Sequence, residues 1–404
     1  MNARSAVDTR PVSLLLRHLF DGSEPAADWN GLVAAAAHLR LAPLLFRRLK
    51  QGSARDRVPA GAWERLRLAY LDSAGRNTRF YRRLRPVLAG LRDTGIPVIV
   101  LKGAFLAEAV YGDAALRPMS DADLMVRKAD LPRARAVLLA AGGASARPVD
   151  IKRHCRRNAS LPTLFIRDLA VDLHWAIERP TGPFRVAAAG LWDRARPAAI
   201  AGVEVLALSP EDLLLHLCLH LSHRHGLAVP YVLCDVAETV HRFRGELDWP
   251  RFARRAREWG ATRYTGLVLG LARDLLGAEV PGDVFEQLVP GGIEPRVLEV
   301  ARETVLARSD YRPPGSLAGR RGAGSLGGLV RLVWKHVFLS RDAMAVKYPA
   351  SRTARHLYRF YALRLRDGIR AGWLHARLQA RLMVDNPRRG REDLLVRWLR
   401  TGRP

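Results

Sequence analysis

Val98-Ile-Val-Leu-Lys-Gly-Ala-Phe105, then Leu116-Arg-Pro-Met-Ser-Asp-Ala-Asp-Leu-Met-Val126, then Val171-Asp-Leu-His-Trp175 decide how this chain is read. Pro97–Leu101 is short, apolar and β-branched, as a buried strand is, and Lys102-Gly103 breaks it. Ala104–Val110 follows with helical spacing, and Tyr111-Gly112-Asp113 closes it. A second strand is predicted at Ala122–Val126, and Asp121 and Asp123 at its start share one face, because residues i and i+2 of a strand point the same way. Two carboxylates so placed suit Mg²⁺, a hard cation that takes oxygen ligands and shares its shell with phosphates. Asp172 is a third acid in an apolar strand, and its alternation places His174 on the same face. A buried carboxylate is costly unless it is paired or metal-bound, so three strand-borne acids fit a two-metal site. The strand-to-helix turn at Lys102-Gly103 offers backbone N–H groups and a positive helix end to a phosphate, and Gly103 permits close approach. Lys102 or Arg117 would neutralise a triphosphate.

Working outward, residues 11–50 read as helical, and a long helix is predicted over about 62–93 with Arg side chains facing solvent. Beyond the second strand, a helix is expected at about 130–141, with Asp130 as N-cap before Pro132 and Gly142-Gly143 as its stop. Thr163–Ile166 and Leu169–Trp175 form a hairpin around Arg167-Asp168. After Pro180 the chain reads as helical, and Ser209-Pro-Glu-Asp212 is a helix start opening an all-helical stretch to about 290. Residues 310–328 are rich in Pro, Gly and Ser, and 329–404 read as a basic helical tail.

The chain has 404 residues and a formal net charge of +27, carried almost wholly by Arg. Such a field attracts phosphates, on nucleotides, nucleic acid or anionic lipid; a general Ala and Arg bias of composition is the competing explanation. The three cysteines, Cys155, Cys218 and Cys234, are too few and too scattered for a disulfide framework. The first residues lack the apolar stretch of a signal peptide, and no apolar run reaches the roughly 18 residues of a spanning helix. Neither a disulfide scaffold nor a membrane-spanning helix is expected, and a cytoplasmic setting is.

The ordered set of motifs resembles the uncharacterised-nucleotidyltransferase family of the polymerase-β-like superfamily. The residues that carry the resemblance are Leu101-Lys102-Gly103, Tyr111-Gly112-Asp113, Arg117-Pro118-Met119-Ser120-Asp121-Ala122-Asp123-Leu124-Met125-Val126 and Asp172-Leu173-His174-Trp175. It extends to Ser209–His216, His220 and Asp235, and spans roughly residues 10–290. It implies an α+β fold: a small mixed sheet as nucleotidyltransferase core, with N-terminal helices and a C-terminal helical region. The expected organisation is an N-terminal helical region at 1–94, the core at 95–205, a helical substrate or acceptor domain at 206–310, a linker at 311–328 and the basic tail at 329–404. The activity implied is Mg²⁺- or Mn²⁺-dependent transfer of a nucleoside monophosphate from an NTP such as ATP to an acceptor, with release of pyrophosphate. Asp121, Asp123 and Asp172 would ligate the metals, and Asp172 would help deprotonate the acceptor hydroxyl. Lys102, Gly103, Arg117 and Ser120 would hold the nucleotide. The wider superfamily carries Gly-Ser or Gly-Gly where this chain has Lys102-Gly103-Ala104; the phosphate-binding Ser is missing and Lys102 takes its place. The acceptor is left open among RNA, a protein side chain and a small molecule. The rival reading is a basic interaction protein without turnover, binding nucleic acid or an acidic partner through the tail.

Three further features invite chemistry. Gly322-Ala-Gly-Ser-Leu-Gly327 matches Gly-x-Gly-x-x-Gly, but no strand precedes it and a linker is the better reading. His216, Cys218, His220, His223 and His225 cluster on or just after one helix without a zinc-protease Glu, which favours a structural or acceptor-binding role over a metal. Trp334, Phe338, Tyr348, Tyr358, Phe360 and Tyr361 are interleaved with Arg, a pattern shared by nucleic-acid faces and ordinary helix cores.

Overall fold

The computed structural model describes residues 15, 28–52, 55–145, 149–306 and 387–403. The chain divides into two compact units, Met1–Arg312 and Pro313–Pro404. In chain order the first unit holds α1 (Trp29–His38), α2 (Ala42–Gln51), α3 (Ala60–Asp93), β1 (Ile99–Leu101), α4 (Lys102–Phe105), β2 (Asp121–Met125), α5 (Leu131–Ala140), β3 (Gly143–Ser145), α6 (Ile151–His154), β4 (Leu164–Ile166) and β5 (Leu169–His174). There follow α7 (Ala188–Asp193), β6 (Arg196–Ile200), β7 (Val203–Ala207), α8 (Pro210–Leu219), α9 (Pro230–Arg242), α10 (Trp249–Trp259), α11 (Thr262–Leu276), α12 (Gly282–Leu288) and α13 (Pro295–Leu306). The described part of the second unit is α14 (Pro387–Thr401). The linker, the Gly-x-Gly-x-x-Gly stretch and the tail aromatics lie outside the described residues.

The seven strands form one mixed sheet in the order β3-β4-β5-β2-β1-β7-β6, which is the α+β architecture the sequence led us to expect. β1 and β2 run antiparallel with Leu101 opposite Asp123, and β2 and β5 run parallel with Asp123 beside Asp172. Ile99, Val100 and Leu101 are all buried, as a central strand covered on both faces must be. The same sheet register therefore gathers the end of β1 and both acids at one point.

Helix α3 shows why the site has a firm wall. Leu66, Leu84, Leu88 and Leu91 form its buried stripe. Between them sit two buried polar residues, Ser73 and Asn77. Ser73 Oγ donates to the Ala115 carbonyl at 2.6 Å, and Asn77 Nδ2 donates to the carbonyls of Ala114 and Arg117 at 2.5 and 3.0 Å. Buried polar groups need partners, and these satisfy loop carbonyls just ahead of β2. Ser209 caps α8 by accepting from Asp212 N–H at 3.3 Å. All of Pro210–Leu219 is buried, and the Asp212 carboxylate is matched by Arg255 at 2.9 Å and Arg194 at 2.9 Å.

The structure corrects the sequence reading in three places. The stretch after Pro180 is not simply helical: past the short α7 it forms the β6–β7 hairpin. β6 reads Arg-Pro-Ala-Ala-Ile, weak in β propensity, and it is an edge strand, the position where a Pro without an N–H is tolerated. Its turn, Ala201-Gly202, has φ of 52° and 71°, the two left-handed residues of a tight hairpin. The second correction is β3, which begins at the glycine expected only to stop a helix. Finally, Asp130 stands at the N-cap of α5 but makes no capping bond; its carboxylate accepts from Arg133 Nη1 at 3.2 Å instead.

Candidate functional site

Asp123 is 4% exposed, and its Oδ1 accepts two hydrogen bonds, from Lys102 Nζ at 2.7 Å and from the His174 Nε2–H at 2.8 Å. Burial by itself would raise this carboxyl's pKa, but the Lys102 ammonium and then His174 outweigh it and hold it well below the usual range. Asp172, its neighbour across the β2–β5 ladder, behaves oppositely. Burial pushes its pKa up; the Thr163 hydroxyl, donating to Oδ1 at 2.6 Å, pulls it back, and the Asp123 charge raises it again. Two carboxylates in adjacent register thus have different tasks open to them: one is firmly ionised, the other is more ready to take a proton.

Ligand atoms of Asp123, Asp172 and His174 all lie within 4.8 Å of one another. His174 Nδ1 is buried without a partner. Two hard oxygen donors and an imidazole converging at this spacing fit a divalent cation. Asp121, two residues along the same face, falls outside that group; its Oδ1 accepts from Ser120 Oγ at 2.9 Å. His174 was legible in the sequence as a same-face neighbour of Asp172, but its place beside Asp123 comes from the strand pairing.

The residues expected to hold a nucleotide separate into two groups. Lys102 reaches Asp123 because Leu101 is paired with it, and Lys102 itself has φ of 47°, a left-handed backbone that costs a lysine energy. The sequence reading had Gly103 permit close backbone approach; the left-handed residue is the one before it, Lys102. A Cβ at Gly103 would meet Met119 Cγ at 3.3 Å, a tight approach that the Met119 side chain would have to ease by a few tenths of an ångström. Arg117 is tied elsewhere, in an ion pair with Asp235 and 4.5 Å over the Tyr231 ring. Of the two cations the sequence offered to a triphosphate, Lys102 stands at the acids and Arg117 braces the loop that carries Ser120 and Asp121.

One residue nearby, Glu178, has no sequence signal; the histidines of the 216–225 cluster stand out in the sequence, for a structural or acceptor-binding role. Glu178, 6% exposed, has its carboxyl pushed up to about 7 by burial, against the opposing pull of Arg224, Arg179 and Lys102. Its loop follows β5, and only the fold reveals that it is buried. His216 is buried with neither ring nitrogen bonded. Burial, then the Lys102 charge, lowers its pKa to about 3 and that of His225 to about 4, and the same causes lower His220 well below its ordinary value. His220 and His225 meet with Nε2 atoms 3.0 Å apart. Burial favours the neutral form of all three imidazoles, and the Lys102 charge acts on each in the same direction.

The family model described as "Uncharacterised nucleotidyltransferase" matches residues 25–277. No curated protein matches. Among solved structures, the antibiotic-resistance factor ANT(2″)-Ia in solution is similar at 17% identity over 45% of this chain and 94% of that one, with a TM-score of 0.31. The crystal structure of ANT(2″)-Ia with adenylyl-2″-tobramycin is similar at 18% identity over 44% of this chain and 97% of that one, also with a TM-score of 0.31.

Proposed function

The chain belongs to this family of uncharacterised nucleotidyltransferases, and we propose that it uses Asp121, Asp123 and Asp172 to transfer a nucleoside monophosphate from an NTP to an acceptor hydroxyl or phosphate. The observation that carries this reading is the register of β2 on β5, which brings Asp123, Asp172 and His174 to within 4.8 Å. A bound Mg²⁺ or Mn²⁺ would supply charge stabilisation for the developing pyrophosphate. Asp123, buried and with its pKa lowered, and Asp172 beside it are the residues that would hold the ion, with Asp121 on the same strand face as a further carboxylate ligand. Asp172, whose pKa is raised by burial, takes the proton of the acceptor hydroxyl. The acceptor oxygen then bonds to the α-phosphorus as the bond from that phosphorus to the pyrophosphate oxygen breaks. Lys102 binds phosphate oxygens, Gly103 leaves room for the turn on which it sits, and Arg117 keeps Ser120 and Asp121 in place.

Thermal unfolding with each of the four NTPs, with and without Mg²⁺, tests the reading on wild type and on an Asp121→Asn/Asp123→Asn double variant. Ligand at about 100 times its Kd should stabilise wild type by roughly 2.7 kcal/mol, dependent on Mg²⁺ and absent from the variant. No shift with any NTP would favour a basic interaction protein without turnover.

A further inference from the structure

Lys102 stands where a divalent cation would have to act. Its Nζ lies 2.7 Å from Asp123 Oδ1, and the two side chains are 17% and 6% exposed. The same oxygen accepts from His174, so a second positive group on that carboxylate must share or displace what is already there. Two cations on one buried carboxylate repel strongly, because little water lies between them to screen the charge. The backbone adds a second, independent observation. Lys102 holds φ of 47° directly after β1, a conformation that glycine adopts freely and lysine does not. A residue kept in such a position is over-determined by its surroundings, and here the evident restraint is the bond to Asp123.

Resting on the nucleotidyl-transfer reading, we propose that Lys102 is a tethered counter-cation that competes with a divalent metal for Asp123 and yields when the metal arrives with a triphosphate. Phosphate oxygens give the ammonium a new partner as the metal takes the carboxylate. Each charged group then has an opposite charge beside it in both arrangements: lysine on aspartate without nucleotide, lysine on phosphate and metal on aspartate with it. The metal is poorly held alone and well held as its nucleotide complex, so metal and nucleotide enter together.

The consequence has an unusual sign: removing a positive residue from a nucleotide site should improve metal binding while weakening nucleotide binding. The test uses the full chain as wild type, Lys102→Gly and Lys102→Met, titrated with Mn²⁺ alone and followed by the electron paramagnetic resonance of free Mn²⁺. Lys102→Gly suits the left-handed backbone and guards against a variant that fails to fold. Both variants are expected to bind Mn²⁺ about tenfold or more tighter than wild type, the scale on which neighbours of a metal ligand tune affinity. In a second arm, Mn²⁺ complexes of the α,β-methylene analogues of the four NTPs should bind the variants about tenfold more weakly than wild type. Unchanged or weaker Mn²⁺ binding by the folded variants, with analogue binding to wild type intact, overturns the exchange alone. Failure of every analogue to bind wild type overturns the nucleotidyl-transfer reading and the exchange with it.

Discussion

Arg117 and Asp235, 118 residues apart, meet in a two-pronged ion pair: Nε to Oδ1 at 2.7 Å and Nη2 to Oδ2 at 2.8 Å. Asp235 is 1% exposed, and its Oδ1 also accepts from the Tyr111 hydroxyl at 2.9 Å. Arg117 lies four residues before Asp121, so helix α9 holds the loop that feeds the acids into β2. The Asp235 charge, with its hydrogen bonds, raises the Arg117 pKa further, against the pull of burial.

Asp235→Asn keeps the shape and removes the charge, leaving Arg117 buried without its counter-ion. A loss of about 3–5 kcal/mol of stability is expected, measured by urea unfolding. Tyr111→Phe removes one hydrogen bond from the same carboxylate and should cost about 1 kcal/mol. A loss for Asp235→Asn no larger than that for Tyr111→Phe would show that the ion pair is not the brace.

Glu178 predicts a pH dependence. Its folded pKa is raised from 4.5 to about 7, chiefly by burial, so the folded protein binds the proton more tightly than the unfolded chain does. Its contribution to stability is therefore full below the unfolded pKa and is lost as pH rises through the folded one. The loss between about pH 4.5 and pH 7 is at most about 3 kcal/mol, and Glu178→Gln should flatten it. Urea midpoints of wild type and variant across that range decide the matter; parallel curves would place the titration elsewhere.

Ala201 occupies the left-handed turn between β6 and β7 with φ of 52°. Ala201→Gly should raise stability by about 1 kcal/mol, since glycine carries no Cβ penalty there. A thermal melt that moves down instead would mean that the greater chain entropy of unfolded glycine outweighs the relief.

Gly266 in α11 predicts the opposite case. A Cβ on it would come to 2.6 Å from Val289 Cγ2, so Gly266→Ala must push Val289 aside. Overpacking of this kind costs about 1–3 kcal/mol, even though alanine is the better helix former. A stabilised variant would show that the Val289 segment relaxes freely.

The sequence determined the local elements. Ile99-Val-Leu101 has no choice but a buried strand, Asp121-Ala-Asp123 puts two acids on one face by its period, Ser209-Pro210 starts a helix by its chemistry, and Leu66 through Leu91 marks the inner stripe of α3. These signals lie within a few residues of each other, so no partner is needed to read them. β6 escaped because Ala-rich edge strands take their structure from a neighbour rather than from their own propensity. The tertiary structure alone decided which groups meet. Asp123 and Asp172 come within 4.8 Å because β2 and β5 pair in parallel at that register, Lys102 reaches Asp123 because β1 pairs antiparallel beside it, and Arg117 is claimed by Asp235 from a helix far along the chain. Pairing register and burial depend on the whole core packing at once, and they set which carboxylate has its pKa lowered, which has it raised, and which cation stands at the acids.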